Sequence, residues 1–232
     1  MAISLVNKAI GQSTPAGNSV PTSAGINVTA GNLLVVGARA SANGATITPS
    51  DTAGNTFVSI GTLTDNTGLG DLQVWYVKNC LGNASDIFTA TWNQTPSNRS
   101  IIALQYSGID TTAPLDATPT IVNLTGTNSS ATTGAFSTVN ANELIVGFLA
   151  WDNGTAASVG LIGGATPTLE EDTASASTGL AAEDLIVSSI QTNITAAMGT
   201  NGSGDLIFLV ASFKAAAASA HYFSSLPLVG VG

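Results

Sequence analysis

Residues 205–214 read DLIFLVASFK, and residues 215–232 read AAAASAHYFSSLPLVGVG. In the first stretch Leu206, Phe208 and Val210 alternate with Ile207, Leu209 and Phe213, which is the period of a strand with an apolar residue on both faces. In the second the alternation is lost: small residues come first, then apolar ones in no strand register. The chain therefore reads as a β body spanning residues 1–216, followed by an extended C-terminal arm, residues 217–232. An arm that becomes ordered on a partner loses about 1 to 2 kcal/mol of backbone entropy per residue and must bury apolar area in return. Tyr222, Phe223, Leu226, Leu228, Val229 and Val231 are the candidate partner-binding residues for that burial. Pro227 lowers the entropy to be lost.

Upstream, strands are expected at residues 3–9, 32–40 (NLLVVGARA), 45–48 and 56–63, then at 72–79 (LQVWYVKN), 86–93 and 99–107 (RSIIALQYS), and again at 143–151 (ELIVGFLAW), 185–191 and 194–198. The turns between them carry Gly, Asn, Pro and Ser and are too short to hold helices, so the sheets are expected to be antiparallel. A Thr/Pro/Gly/Ser-rich region at 111–133 holds one apolar patch, 120–124, suited to a sheet edge. Residues 179–190 alone invite a helix, and their Val, Ser and Ile content favours a strand there too. An internal echo runs between TAGNLLVV (29–36) and NANELIVG (140–147). Two tandem immunoglobulin-like units or the two halves of one jelly-roll sandwich would each produce it. With no Pro- or charge-rich linker between the halves, a single all-β, antiparallel, jelly-roll-like sandwich is the preferred reading.

Only 8% of the residues are charged, against roughly 25% in an ordinary soluble domain, and the formal net charge is -9. The basic residues Lys8, Arg39, Lys78, Arg99 and Lys214 are scattered, so the clustered footprint that nucleic acid or an anionic membrane requires is missing. No run of about 18 apolar residues is present to span a bilayer as a helix. The first residues, MAISLVNKAIGQS, lack the pattern of a secretory signal. Several strands are apolar on both faces, which calls for cover on the second face by long loops or by another subunit.

Chemistry is sparsely represented. His221 is the only histidine and Cys80 the only cysteine, which argues against a zinc site and a hydrolytic triad. Cys80 reads as a small buried hydrophobe at a strand end. Carboxylates cluster at Glu170, Glu171 and Asp172 and at Glu183 and Asp184, and both groups read as solvated acidic turns. Asp51-Thr52-Ala53-Gly54-Asn55 suits either a calcium loop or, more simply, an Asx turn. Gly163-Gly164 lacks the lysine of a phosphate loop. Trp75, Trp92 and Trp151 could stack on sugars, and read better as core anchors. No catalytic, cofactor-binding or metal-ligating residue is assigned.

Taken together, MAISLVNKA, AGNLLVVGARA, SDTAGNTFVSIG, LQVWYVKN, LQYSGIDTTAPLDAT, NANELIVGFLAW and LIFLVASFKAA resemble a β-sandwich module of bacteriophage virion proteins, shared by some bacterial surface proteins. The likeness covers about residues 3–216 and leaves the arm uncovered. A chain starting at Met1 without a signal resembles the phage members. That resemblance implies a non-enzymatic virion protein, such as a capsid decoration (cement) protein or a head or tail fibre component. Its implied partners are the major capsid or other virion proteins and copies of itself, as a trimer or dimer, with no cofactor. The alternative from another class is a carbohydrate-binding or adhesive module, with loop aromatics and calcium as working parts.

Overall fold

The computed structural model describes residues 2–42, 44–64, 69–175 and 179–217. Every element in them is a strand. The first half of the chain carries β1 (Ser4–Ser13), β2 (Ser19–Pro21), β3 (Ile26–Val28), β4 (Leu33–Ser41), β5 (Ile47–Asp51), β6 (Val58–Thr64), β7 (Asp71–Val77), β8 (Asn83–Asp86), β9 (Phe88–Trp92) and β10 (Ser97–Ser107). The second half carries β11 (Thr120–Thr132), β12 (Glu143–Trp151), β13 (Ala157–Ile162), β14 (Thr168–Asp172), β15 (Gly179–Val187) and β16 (Ala196–Lys214). The segment that invited a helix is β15.

In the first half β1 pairs with β10, β2 with β9 and β3 with β8, all antiparallel. The opening three strands thus run as a ribbon against the closing three, and rolling such a ribbon up is jelly-roll winding. Its larger sheet has the order β1-β10-β4-β7-β6, and β2-β9-β5 forms a smaller one. The second half repeats the large sheet position for position as β11-β16-β12-β15-β14. Here two long strands each do the work of two. Residues 206–214 of β16 pair with β12, and its first residues, near Ala196 to Thr200, pair with β13. Between those parts lies the Gly-rich stretch 199–204, opposite register shifts in β11. Irregularities of this kind let a strand turn the corner from one sheet to another. The echo seen in the sequence falls on β4 and β12, which hold the same place in the two sheets.

The large sheets pack face to face and make a central core. Leu33, Val35, Val74, Ile102 and Leu104 come from one side, and Leu144, Val146, Phe148, Leu209 and Phe213 from the other. The outer face of the first sheet buries Leu34, Val36, Trp75 and Val77 with Val20, Ile47, Phe88 and Trp92. On the second sheet the outer face buries Ile145, Leu149, Trp151 and Phe208 with Ile162, Ala196 and Met198. Three apolar layers result, and they account for the doubly apolar strands. Each has one face on the central core and one on an outer core, so the cover expected from loops or another subunit is supplied by strands of the same chain.

The register fixes how the halves correspond. Leu33 on β4 is paired with Tyr106, and Leu144 on β12 with Phe213. Counting along from there sets Val35 opposite Val146 in type and Gly37 opposite Phe148. The sheets run past each other in opposite order, so β1 lies beside β14 and β6 beside β11. At the latter edge a Cβ on Gly61 would come within 2.8 Å of both Ile121 and Leu209.

Candidate functional site

The partner-binding residues expected from the sequence, Tyr222, Phe223, Leu226, Leu228, Val229 and Val231, lie outside the described residues, as does His221. What is described is the point of departure. The Lys214 N–H donates to the Pro114 carbonyl at 2.7 Å, Ala215 N–H to Asn142 O at 3.1 Å and Ala216 N–H to Gly108 O at 2.8 Å. These bonds hold the end of β16 against two loops. A cleft of about 390 Å³ opens there, lined by Asp110, Asn140, Asn142, Lys214 and Ala217.

The DTAGN segment closes on itself. Asp51 Oδ1 accepts the Asn55 N–H at 2.9 Å and Oδ2 accepts Asn55 Nδ2 at 2.7 Å. Asn55 Oδ1 in turn accepts the Leu81 N–H at 2.7 Å. Thr52 Oγ1 donates to Asp86 Oδ1 at 2.7 Å, and the same oxygen takes the Ala53 N–H at 3.1 Å. The Asp51 oxygens are thus engaged by donors within the turn, which is Asx-turn chemistry, and those of Thr52 and Asn55 by the neighbouring segment 81–87. Among the described residues no group of three or more His, Cys, Asp or Glu is arranged to hold a metal ion.

Trp75, Trp92 and Trp151 are all buried. Trp151 Nε1 donates to Gly154 O at 2.8 Å, and its ring lies so close to Gly179 that a Cβ there would fall 2.2 Å from it. None of the three presents a face to a sugar. Cys80 is buried too, its Sγ donating to Thr29 O at 3.3 Å, and burial pushes the thiol up to about 11. Such a thiol is a poor nucleophile at neutral pH. Two of the five cations are internal: Arg39 donates to Leu69 O at 2.8 Å, and Arg99 to Pro96 O, Ser13 Oγ and Pro15 O at 2.8 to 2.9 Å.

The acidic groups depart from their expected setting. They are not turns but strand residues, on β14 and β15. Glu183 is fully buried with neither carboxyl oxygen partnered, and Asp184 is only 6% exposed. The reason lies in the pairing: Gly179 to Val187 pair with β12, and Ala181 to Asp184 pair with β14 as well, so both acids sit where the strand is flanked on two sides. Burial, together with the Asp184 charge, lifts Glu183 to about 8. Asp184 is raised to about 6, chiefly by burial and with a contribution from Glu170. On β12, Glu143 is likewise enclosed; burial pushes it up to about 7, with neighbouring Asp116 adding to the shift. The Asn140 N–H donates to Glu143 Oε1 at 2.8 Å, and Asp116 accepts the Val139 N–H and Asn140 Nδ2. Lys8 of β1 reaches across to β14, 3.3 Å from Glu170 Oε2 and 3.8 Å from Glu171 Oε1. None of these groups was singled out from the sequence as buried. The signal was there in the apolar residues on both sides of Glu183-Asp184.

No family model matches the chain, and no curated protein does. Among solved structures, a chain from Cucumber Leaf Spot Virus is 10% identical, covering 96% of this chain and 93% of its own, with a TM-score of 0.22. A mutant of the Bacillus subtilis oxalate decarboxylase OxdC is 9% identical, covering 92% and 75%, also at a TM-score of 0.22. Likeness at that level carries no argument about function.

Proposed function

We propose that this protein is a non-enzymatic structural component of a virion, a capsid decoration protein that binds coat-protein neighbours and copies of itself. The resemblance of its strand and turn motifs to phage virion modules points that way. The observation that carries the reading is one of composition. Beyond Ala217 the chain continues with Tyr222, Phe223, Leu226, Leu228, Val229 and Val231 and with no Asp, Glu, Lys or Arg. An apolar run without charge is suited to burial against a partner. The buried tryptophans and the self-satisfied DTAGN turn leave the carbohydrate reading without an observation in its favour.

The test is a stop after Ala217. Mass measurement in solution is expected to show the full chain as an oligomer and the shortened chain as a folded monomer with an unchanged circular dichroism spectrum. Equal masses for the two would overturn the role given to the tail.

A further inference from the structure

An apolar slot opens at the end of the body from which the chain departs. It has a volume of about 170 Å³, and its lining includes Ala2, Ile3, Asn142, Ile186, Val187 and Ala215. Ile3 belongs to the central core, so the slot lies at the end of the central seam between the large sheets. The lining holds no Asp, Glu, Lys or Arg. A cavity of about 150 Å³ holds a benzene ring, so this slot is of a size for one large apolar side chain.

One wall of the slot is a length of strand that is open on one side. Gly179 to Val187 all pair with β12, but the ladder to β14 runs from Ala181 only as far as Asp184. β14 starts at Thr168, directly after Pro167, which has no N–H to extend that ladder. Leu185 to Val187 therefore present an edge on which no described strand lies, the kind of edge that takes an added strand. Ile186, on this edge, is 46% exposed. Ile190 and Val139, 56% and 67% exposed, stand on adjoining segments joined by the Thr138 N–H, which donates to the Gln191 carbonyl at 3.0 Å. Exposed large apolar residues grouped at one place mark a contact.

The occupant follows from where the chain goes. The slot and the cleft at the end of β16 share Asn142 and Ala215, and residues 218–232 continue from there. Tyr222 is the first large apolar residue among them. To bring it back into the slot of its own body, residues 215–221 (AAAASAH) would have to reverse direction. They contain no Gly, Pro, Asn or Asp, the residues that turn a chain sharply. Such a stretch runs on from the exit toward a neighbour. Because slot and exit lie side by side, two copies related by a twofold axis at this end each offer a slot to the other's arm, and the contact closes on itself.

We propose that the segment from Tyr222 to Val231 of one copy seats in the slot of a second copy, along the open edge at Leu185 to Val187, and that the exchange is reciprocal in a dimer. The proposal rests on the reading of the tail as a partner-binding arm, and it adds the partner and the seat.

Sedimentation of the full chain over a range of concentrations tests it. Ile186→Arg puts a charge on the seat at an exposed position and is expected to weaken the dimer by about a hundredfold or more, with an unchanged circular dichroism spectrum. A folded Ile186→Arg protein that dimerises like the native chain overturns the proposal. Should that variant fail to fold, Ser188→Cys combined with Ser225→Cys decides: oxidation is expected to give a covalent dimer on a non-reducing gel. A bond within one chain, a ladder of larger species or no bond overturns the exchange. The stop after Ala217 separates the two claims. If it lowers the mass and Ile186→Arg does not, the seat falls and the arm stands; if it leaves the mass unchanged, the arm falls and the seat with it.

Discussion

Gly37 and Phe148 hold equivalent positions in the two halves, and they lie against each other across the central seam: a Cβ on Gly37 would come within 2.4 Å of the Phe148 ring. One half has given up a side chain where the other carries a phenylalanine ring. Gly37→Ala is expected to destabilise the fold by about 1 to 3 kcal/mol through overpacking, and Phe148→Ala by about 3 to 5 kcal/mol through the cavity it leaves. Gly37→Ala combined with Phe148→Ala should cost less than the sum of the two single changes. Urea unfolding of the four proteins measures the coupling, and strict additivity would mean that the two residues do not meet.

Global stability should decline as pH rises from mildly acid to mildly alkaline. Glu183, Glu143 and Asp184 bind their protons more tightly in the folded chain, at about 8, 7 and 6, than an unfolded carboxyl does. Their contribution is complete below the unfolded value, near about 4.3, and is lost as pH rises through those folded values. Thermal melts at pH 5 and 8.5 should show the lower Tm at 8.5. Glu183→Gln needs no proton, and at pH 8.5 it should exceed the native protein by on the order of 2 kcal/mol, or roughly 4 to 8 °C. A Tm that is higher at pH 8.5 would contradict this.

Calcium should leave the melting temperature unchanged, because the oxygens of Asp51 are already taken by Asn55. Asp51→Ala should instead lower stability by about 1 to 3 kcal/mol, since it strips two donors of Asn55 of their acceptors. A rise in Tm with calcium that EDTA reverses would show that the loop opens to a cation.

Cys80 should resist thiol reagents in the folded protein. Burial and a raised thiol pKa of about 11 keep the reactive thiolate scarce and shielded. Labelling with a disulfide reagent at pH 8 should be slow in buffer and fast in denaturant, so its rate can serve as a reporter of unfolding. Rapid labelling in buffer would place the thiol at the surface.

The strands were legible because apolar runs such as LLVVGARA, ELIVGFLAW and DLIFLVASF admit little else between Gly- and Asn-bearing turns. The echo between residues 29–36 and 140–147 was legible as well, and it marks the central strands of the two sheets. Who covers the second apolar face was not. Alternation tells that Leu34 and Ile145 need a neighbour, but a neighbour hundreds of atoms away along the chain leaves no local trace. The same is true of Glu183 and Asp184. Adjacent acids are usually solvated, and only the sheet that closes over them reveals that these two are enclosed.

β16 has a mechanical consequence. Leu206 to Val210 lie between β11 and β12, with ladders on both sides, and its first residues lie between β11 and β13. A pull entering the molecule beyond Ala217 is directed along this strand. The flanking ladders then bear the load in shear, many hydrogen bonds at once, instead of being peeled apart singly. Among the described strands β16 is thus the one placed to carry tension that enters beyond Ala217.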